Sequence, residues 1–326
     1  MKVTVIYSDD ASELSPEDYE GRSPDSVVEG VANALKTLGH KVNTLNVLPS
    51  SIEQLRKIEF AFNLCDDGFY GLSWMEPHVA ALLDVFKVPY TGSSHQTLTV
   101  CLNKPYTKRI LAYEGLPTAP FYVARKESDV DHDLEYPLIV KPAREGGSIG
   151  IKNDAVVTNK KDLKDRISRI LKNYRQPALV EKYIRGREFN VAILGNDRPT
   201  LLPVSEIVFN GLHKDKSIVS YDAKWKEGSQ YYTATVGKCP ADIPGKLSKE
   251  LQDIALKAYK VMEVSGYGRV DIRVGDDGPY ILEVNANPDI SMDAGLWRSA
   301  KAAGMTYEGL IENVLNYGLK KRWAKN

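Results

Sequence analysis

Only three cysteines occur among 326 residues, Cys65, Cys101 and Cys239, widely separated and without a CxxC pair. That excludes a disulfide framework and a cysteine-built zinc site, and it fits a reducing cytoplasm. Histidine is equally sparse. His40, His78, His95, His132 and His213 stand singly with no HExxH spacing, so any metal must be held by carboxylates. Net charge is missing as well: 43 Lys+Arg balance 43 Asp+Glu, which removes the basic footprint of a general nucleic-acid binder. No apolar run approaches the roughly 18 residues of a membrane span. The start MKVTVIYSDD lacks the basic and apolar regions of a signal peptide. A cytoplasmic, unprocessed chain without membrane or nucleic-acid partners is expected. Neither a P-loop nor a GxGxxG motif opening a helix is present.

What is there is enough chain for two or three domains at about 100–200 residues each. The first hundred residues alternate strand and helix, with strands predicted at Val3–Tyr7, Lys41–Leu45, Glu59–Leu64 and Val88–Tyr90. Ser23-Pro24 reads as an N-cap and first helical residue, opening a helix to Leu38 that Gly39 closes. A second helix is predicted over Glu76–Phe86. Such alternation predicts a small parallel sheet with helices on its faces. The long acidic stretch Tyr7–Gly21 falls where open α/β sheets bind ligands, so Asp9, Asp10 and Glu13 are candidates for a cationic group. A breaker cluster at Gly115–Pro120 follows helix Lys104–Tyr113. Strands Phe121–Ala124, Leu138–Lys141 and Ala178–Glu181 and helix Lys160–Asn173 come next. Beyond Gly186 the pattern is strand-rich until helix Lys246–Val264, a hairpin, and a last helix from Tyr307. The expected domains are 1–102, 103–184 and 185–326.

The strongest chemical signal is the segment Gly266–Pro288. Strands Arg269–Val274 and Tyr280–Asn285 flank the turn chemistry Gly275-Asp-Asp-Gly278. Side chains alternate along a strand, so Val270, Ile272 and Val274 share a face, as do Tyr280, Leu282 and Val284. Joining those apolar faces through a five-residue connection gathers Arg269, Asp271, Glu283 and Asn285 on the other side. Three oxygen-bearing side chains beside an arginine suit Mg²⁺ and substrate phosphates. In Val140-Lys141-Pro142 and Glu145-Gly146-Gly147-Ser148, a lysine ends an apolar strand and glycines follow, so backbone N–H groups and the Ser148 hydroxyl can approach a phosphate. Strand Ala178–Glu181 ends in a carboxylate, and Glu188 lies across a short connection. Taken singly, a glycine-rich turn and two glutamates beside a connection are common solvated features. Their weight comes from occurring together.

Together these segments resemble the ATP-grasp superfamily, and most closely the D-alanine–D-alanine ligase family, from about Pro89 to Tyr307. The most specific pieces are Val-Lys141-Pro, Glu181-Lys-Tyr with Glu188, Gly-Arg269-Val-Asp271 and Leu-Glu283-Val-Asn285. The resemblance implies a three-domain α/β ATP-grasp fold, a Rossmann-like N-terminal sheet plus two α+β domains that sandwich ATP. By the same resemblance Lys104 and Lys141 bind ATP phosphates under the Glu145–Gly150 loop. Glu181, Lys182, Tyr183 and Ile184 meet the adenine, and Glu188 takes the ribose. Lys224 reaches the terminal phosphate from a lid over Ser205–Tyr232. Asp271, Glu283 and Asn285 ligate two Mg²⁺, for which Mn²⁺ can substitute, and Arg269 steadies a developing oxyanion. The implied reaction joins a small-molecule carboxylate to an amine through an acyl phosphate, releasing ADP and phosphate. A homodimer is expected from the family alone.

The amino-acid pockets depart from the family pattern. Ser8–Pro16 replaces a glycine-rich stretch with its glutamate, Asn63–Gly68 replaces a His-Gly segment, and Asp289–Arg298 replaces the acceptor loop. Substrates other than a D-alanine pair are therefore expected, with Glu76, Tyr221, Asp289, Ser291, Asp293 and Arg298 as candidate contacts. Two other classes share the nucleotide residues: a small-molecule kinase and a non-catalytic ATP-binding regulator.

Overall fold

The computed structural model describes residues 1–10 and 24–321. Strand Lys2–Tyr7 lies between strands Lys41–Asn46 and Ala61–Leu64 in a parallel three-stranded sheet. Helix Asp25–Thr37 turns Val28, Val31 and Leu35 inward, and Gly39 follows it at positive φ. Pro24 stands at the cap position, one residue before the helix, with no side-chain cap bond. The strand expected at Val88–Tyr90 reduces to one bridge, Ala61 with Tyr90. Two features explain this: the Val88 N–H is spent on the Leu83 carbonyl at the end of helix Glu76–Val85, and Pro89 has no N–H to offer.

A four-stranded antiparallel sheet follows, ordered Phe121–Ala124, Ala178–Lys182, Leu138–Pro142, Val156–Val157. Helix Lys160–Asn173 covers it, packing Leu163, Ile167 and Ile170 on Leu138, Val140 and Val180. The third sheet runs Thr235–Lys238, Ser205–Phe209, Arg187–Leu194, Tyr267–Gly275, Gly278–Asn285, with Thr200–Leu201 beside Arg187–Leu194. Helix Gly245–Val261 packs Leu251, Ala255 and Tyr259 against Phe189, Val191, Val270 and Ile272. One face of this sheet is thereby sealed; on the other, Ala192, Leu194 and Tyr267 pack with Leu296 and Ala300, and the rest carries Glu188, Asn190, Arg269 and Asp271 toward a cavity. Helix Tyr307–Leu319 returns to helix Asp25–Thr37, joining Leu310 and Val314 to Val28 and Leu35. Helices His95–Leu102 and Gly295–Ala302 were not expected from periodicity. Among the described residues no helix is long and apolar enough to cross a membrane.

The hairpin differs from expectation in an instructive way. Its strands run on to Gly275 and Gly278, so Asp276-Asp277 form a tight two-residue turn, not a five-residue connection. A turn of that length alone would pair Arg269 with the wrong neighbour. Leu282 is the extra residue of a β-bulge: Asp271 pairs with Glu283 but Ile272 with Ile281. The bulge restores the pairing of Arg269 with Asn285. It also corrects the expected apolar face, because Ile281 joins Val284 in the core while Leu282 faces the cavity.

Candidate active site

The polar face of the third sheet, the four-stranded sheet and the segment 66–76 enclose a cavity of about 750 Å³, the size of a small-molecule site. Strand alternation aims Arg269, Asp271 and Arg273 into it from one strand, with Glu188 and Asn190 from the strand alongside. Arg269 grips Asp271 with two parallel hydrogen bonds, Nε at 2.7 Å and Nη2 at 2.8 Å. The Asn285 amide donates to Asp271 Oδ2 at 3.0 Å and to Glu283 Oε1 at 3.1 Å. Two carboxylates thus converge on one amide, a set of hard oxygen donors that fits a divalent cation once the amide turns its own oxygen inward. Asn190 donates to the other Asp271 oxygen at 2.7 Å and orients it. Burial opposes the Glu283 charge, but Lys104, Lys141 and Arg269 outweigh it and hold the pKa down at about 2.

Across the cavity, Lys104 Nζ donates to the Glu145 carbonyl and lies 3.7 Å from Glu283. Lys141 pairs with Glu181, whose second oxygen takes Lys108 at 2.8 Å. Glu181 is therefore the hub of a buried lysine pair. Sequence reasoning missed Lys108, although it stands four residues after Lys104 on one helix and so shares its face. The glycine loop closes over this end. Ser148 Oγ donates to the Val219 carbonyl and Trp225 Nε1 to the Gly147 carbonyl, each at 2.8 Å. Lys224 Nζ sits 4.5 Å from the Trp225 ring centroid. Lys182, Tyr183 and Ile184 line the far end beside Glu188.

The other wall carries Glu76, Asp289 and Arg298. Glu76 accepts from Asn287 Nδ2 at 2.8 Å, and Tyr267 donates its hydroxyl to the same amide's oxygen. Arg298 is held by neutral oxygens, Ser205 Oγ at 3.1 Å and the Asp293 carbonyl at 3.4 Å. Its guanidinium lies flat on Gly237, where an added Cβ would stand 1.9 Å from Cζ. Burial and the nearby Arg269 both lower its pKa, a setting that favours an anionic guest.

Two candidates lie elsewhere. Tyr221 is buried with Lys152 over its ring, and Ser291 Oγ donates to Asp293; neither lines the cavity. Asp9 and Asp10 also lie off it, the Asp9 N–H being held by Asn46. Glu13 falls outside the described residues.

An antiparallel ribbon with paired acids, facing two lysines under a glycine loop, defines an α/β protein of the ATP-grasp kind. Likeness to known proteins narrows this further. Residues 110–316 match the family model described as D-ala D-ala ligase C-terminus. An uncharacterized protein, y4sG, of Sinorhizobium fredii is 32% identical over 91% of this chain and 87% of its own length. The D-alanine–D-alanine ligase of Carboxydothermus hydrogenoformans is also 32% identical, over 90% of this chain and 93% of that one. Among solved structures, D-alanine–D-alanine ligase from Bacillus anthracis complexed with ATP superposes with a TM-score of 0.76, at 25% identity over 98% of both chains. The chain belongs to the D-alanine–D-alanine ligase family.

Proposed function

We propose that the protein is an ATP-dependent carboxylate–amine ligase acting on amino acids or related small acids other than a D-alanine pair. The observation that carries this is the Asp271–Asn285–Glu283 cluster beside Arg269, set across one cavity from Lys104 and Lys141. Such a site neutralises and aligns charge, and phosphoryl transfer needs little else. Lys104 and Lys141 bind the phosphates of ATP, the 182–184 backbone meets the adenine, and Glu188 takes the ribose. Asp271, Glu283 and Asn285 would hold Mg²⁺, whose charge would screen the triphosphate and polarise its terminal group. A substrate carboxylate oxygen attacks the γ-phosphorus and ADP leaves. An amine then attacks the acyl carbon, phosphate departs and the nitrogen loses a proton. Arg269 steadies the oxygen that gains charge, and Lys224, Ser148 and the lid keep water from the acyl phosphate.

The departure from a D-alanine pair rests on the cavity wall opposite. Asp289 and Arg298 set charge of both signs there beside the buried carboxyl of Glu76, and Arg298 offers a fork to an acceptor carboxylate. The test is release of ADP and phosphate from ATP·Mg²⁺ across panels of carboxylates and amines. Expected is a requirement for both partners, one phosphate per amide, and a hydroxamate when hydroxylamine replaces the amine. ADP formed with phosphate retained on a hydroxyl would establish a kinase instead, and tight ATP binding without turnover a regulator.

A further inference from the structure

Arg273 stands directly across from Glu188 in the register of neighbouring strands, and both line the cavity. Arg273 is 2% exposed, a costly place for a guanidinium unless its donors are engaged. Its Nη2 donates to Glu188 Oε2 and, at 2.7 Å, to the Ser217 carbonyl. Nη1 reaches the Ile184 carbonyl at 3.3 Å. Tyr183 and Phe209 place their rings 5.3 and 5.7 Å from the cation. Tyr183 continues the network by donating its hydroxyl to the Lys214 carbonyl at 2.8 Å. One buried side chain thus ties the connection at Ile184, the carboxylate of Glu188 and the lid at Ser217.

We propose that Arg273 is the positioning residue that aims Glu188 at a nucleotide ribose and anchors the lid to the same event. This rests on the reading of Glu188 as the ribose carboxylate. A guanidinium holding Oε2 fixes the carboxylate plane and leaves Oε1 to accept from a vicinal diol. Because the same Nη2 holds Ser217, any movement of Glu188 is felt by the segment 210–220. Selection of ribose over deoxyribose and ordering of the lid then have one cause.

The experiment measures binding of ATP, 2′-deoxy-ATP and 3′-deoxy-ATP with Mg²⁺, together with amide exchange over 210–220. It uses wild type, Arg273→Met, Arg273→Lys and Glu188→Gln. Met keeps length and apolar packing between Tyr183 and Phe209 while removing every donor. Expected for wild type is tighter binding of ATP than of at least one deoxy analogue, with slowed exchange in the lid. In Arg273→Met, ATP binding weakens about tenfold or more, as for lost charge-assisted bonds. The preference over the deoxy analogues collapses and ATP no longer slows lid exchange. Arg273→Lys, able to pair with Glu188 but not to span three partners, recovers ribose preference without full lid protection. A folded Arg273→Met protein that keeps both properties overturns the proposal. Ribose preference that survives Glu188→Gln instead overturns the underlying reading of Glu188, and the proposal with it.

Discussion

Glu76 shows how a single residue stores information about the site. Burial, only partly offset by the Asn287 hydrogen bond and reinforced by Asp66, raises its pKa well above the usual carboxyl value. The sign of the consequence follows from linkage. Below the unfolded pKa, near about 4.3, both states are protonated and nothing is lost. As pH rises past that point the unfolded chain ionises first, and stability declines until the folded group ionises too. Glu76→Gln keeps an oxygen for Asn287 and removes this loss. The variant is expected to match wild type at acid pH and to melt roughly 2–4 °C higher near neutrality, about 1 kcal/mol or more. Parallel melting curves from pH 4 to 8 check it; a constant offset would contradict it. At this scale the sequence was only partly readable. Lys104, Lys141 and Glu283 carry recognisable neighbours, whereas Arg273 and Asn190 look like ordinary strand residues until a partner strand is placed beside them.

At the scale of elements, alternation was enough to gather Arg269, Asp271, Glu283 and Asn285, because side-chain faces follow from strand identity alone. Turn length and bulge were not legible, since two compensating errors of one residue leave the same pairing at the open end of the hairpin. Helix His95–Leu102 was missed although Ser94 caps it, its Oγ accepting from the Thr97 N–H, because the β-branched Thr97, Thr99 and Val100 blur the helical signal of so short a segment. Close backbone approach is equally hidden. Gly186, at φ 156°, links strands Ala178–Lys182 and Arg187–Leu194, and a Cβ there would stand 1.9 Å from the Val274 carbonyl oxygen. Backbone cannot rotate aside as a side chain can. Gly186→Ala is therefore expected to destabilise by roughly 1–3 kcal/mol and to weaken ATP binding, because the 182–184 connection must shift. Gly245→Ala, where nothing lies within 4 Å of the added carbon, serves as the control. Denaturant unfolding and ATP titration of both variants provide the measurement, and equal behaviour would remove the argument.

For the whole molecule, the cavity lies between the second and third sheets and the segment 66–76 that follows the first, and its charges are balanced across their boundaries. Lys104, on the helix before the second sheet, faces Glu283 of the third at 3.7 Å. Glu181 of the second sheet holds Lys141 of the same sheet and Lys108 of that helix. A triphosphate entering this space draws Lys104 from Glu283, and the carboxylates of Asp271 and Glu283 then face it with one countercharge fewer. A divalent cation reverses that repulsion, so nucleotide and metal should bind as a unit and draw the sheets together. At a hundredfold excess over Kd, ATP·Mg²⁺ should raise unfolding free energy by about 2.7 kcal/mol. ATP with chelator should give a much smaller gain. Glu283→Gln removes one repelling charge and one cation ligand together, so it should narrow the gap between the two conditions from both sides. Thermal melts in the four combinations test this without knowledge of the amino-acid substrates. A stabilisation by ATP indifferent to Mg²⁺ in wild type would mean that the acidic ribbon does not face the triphosphate.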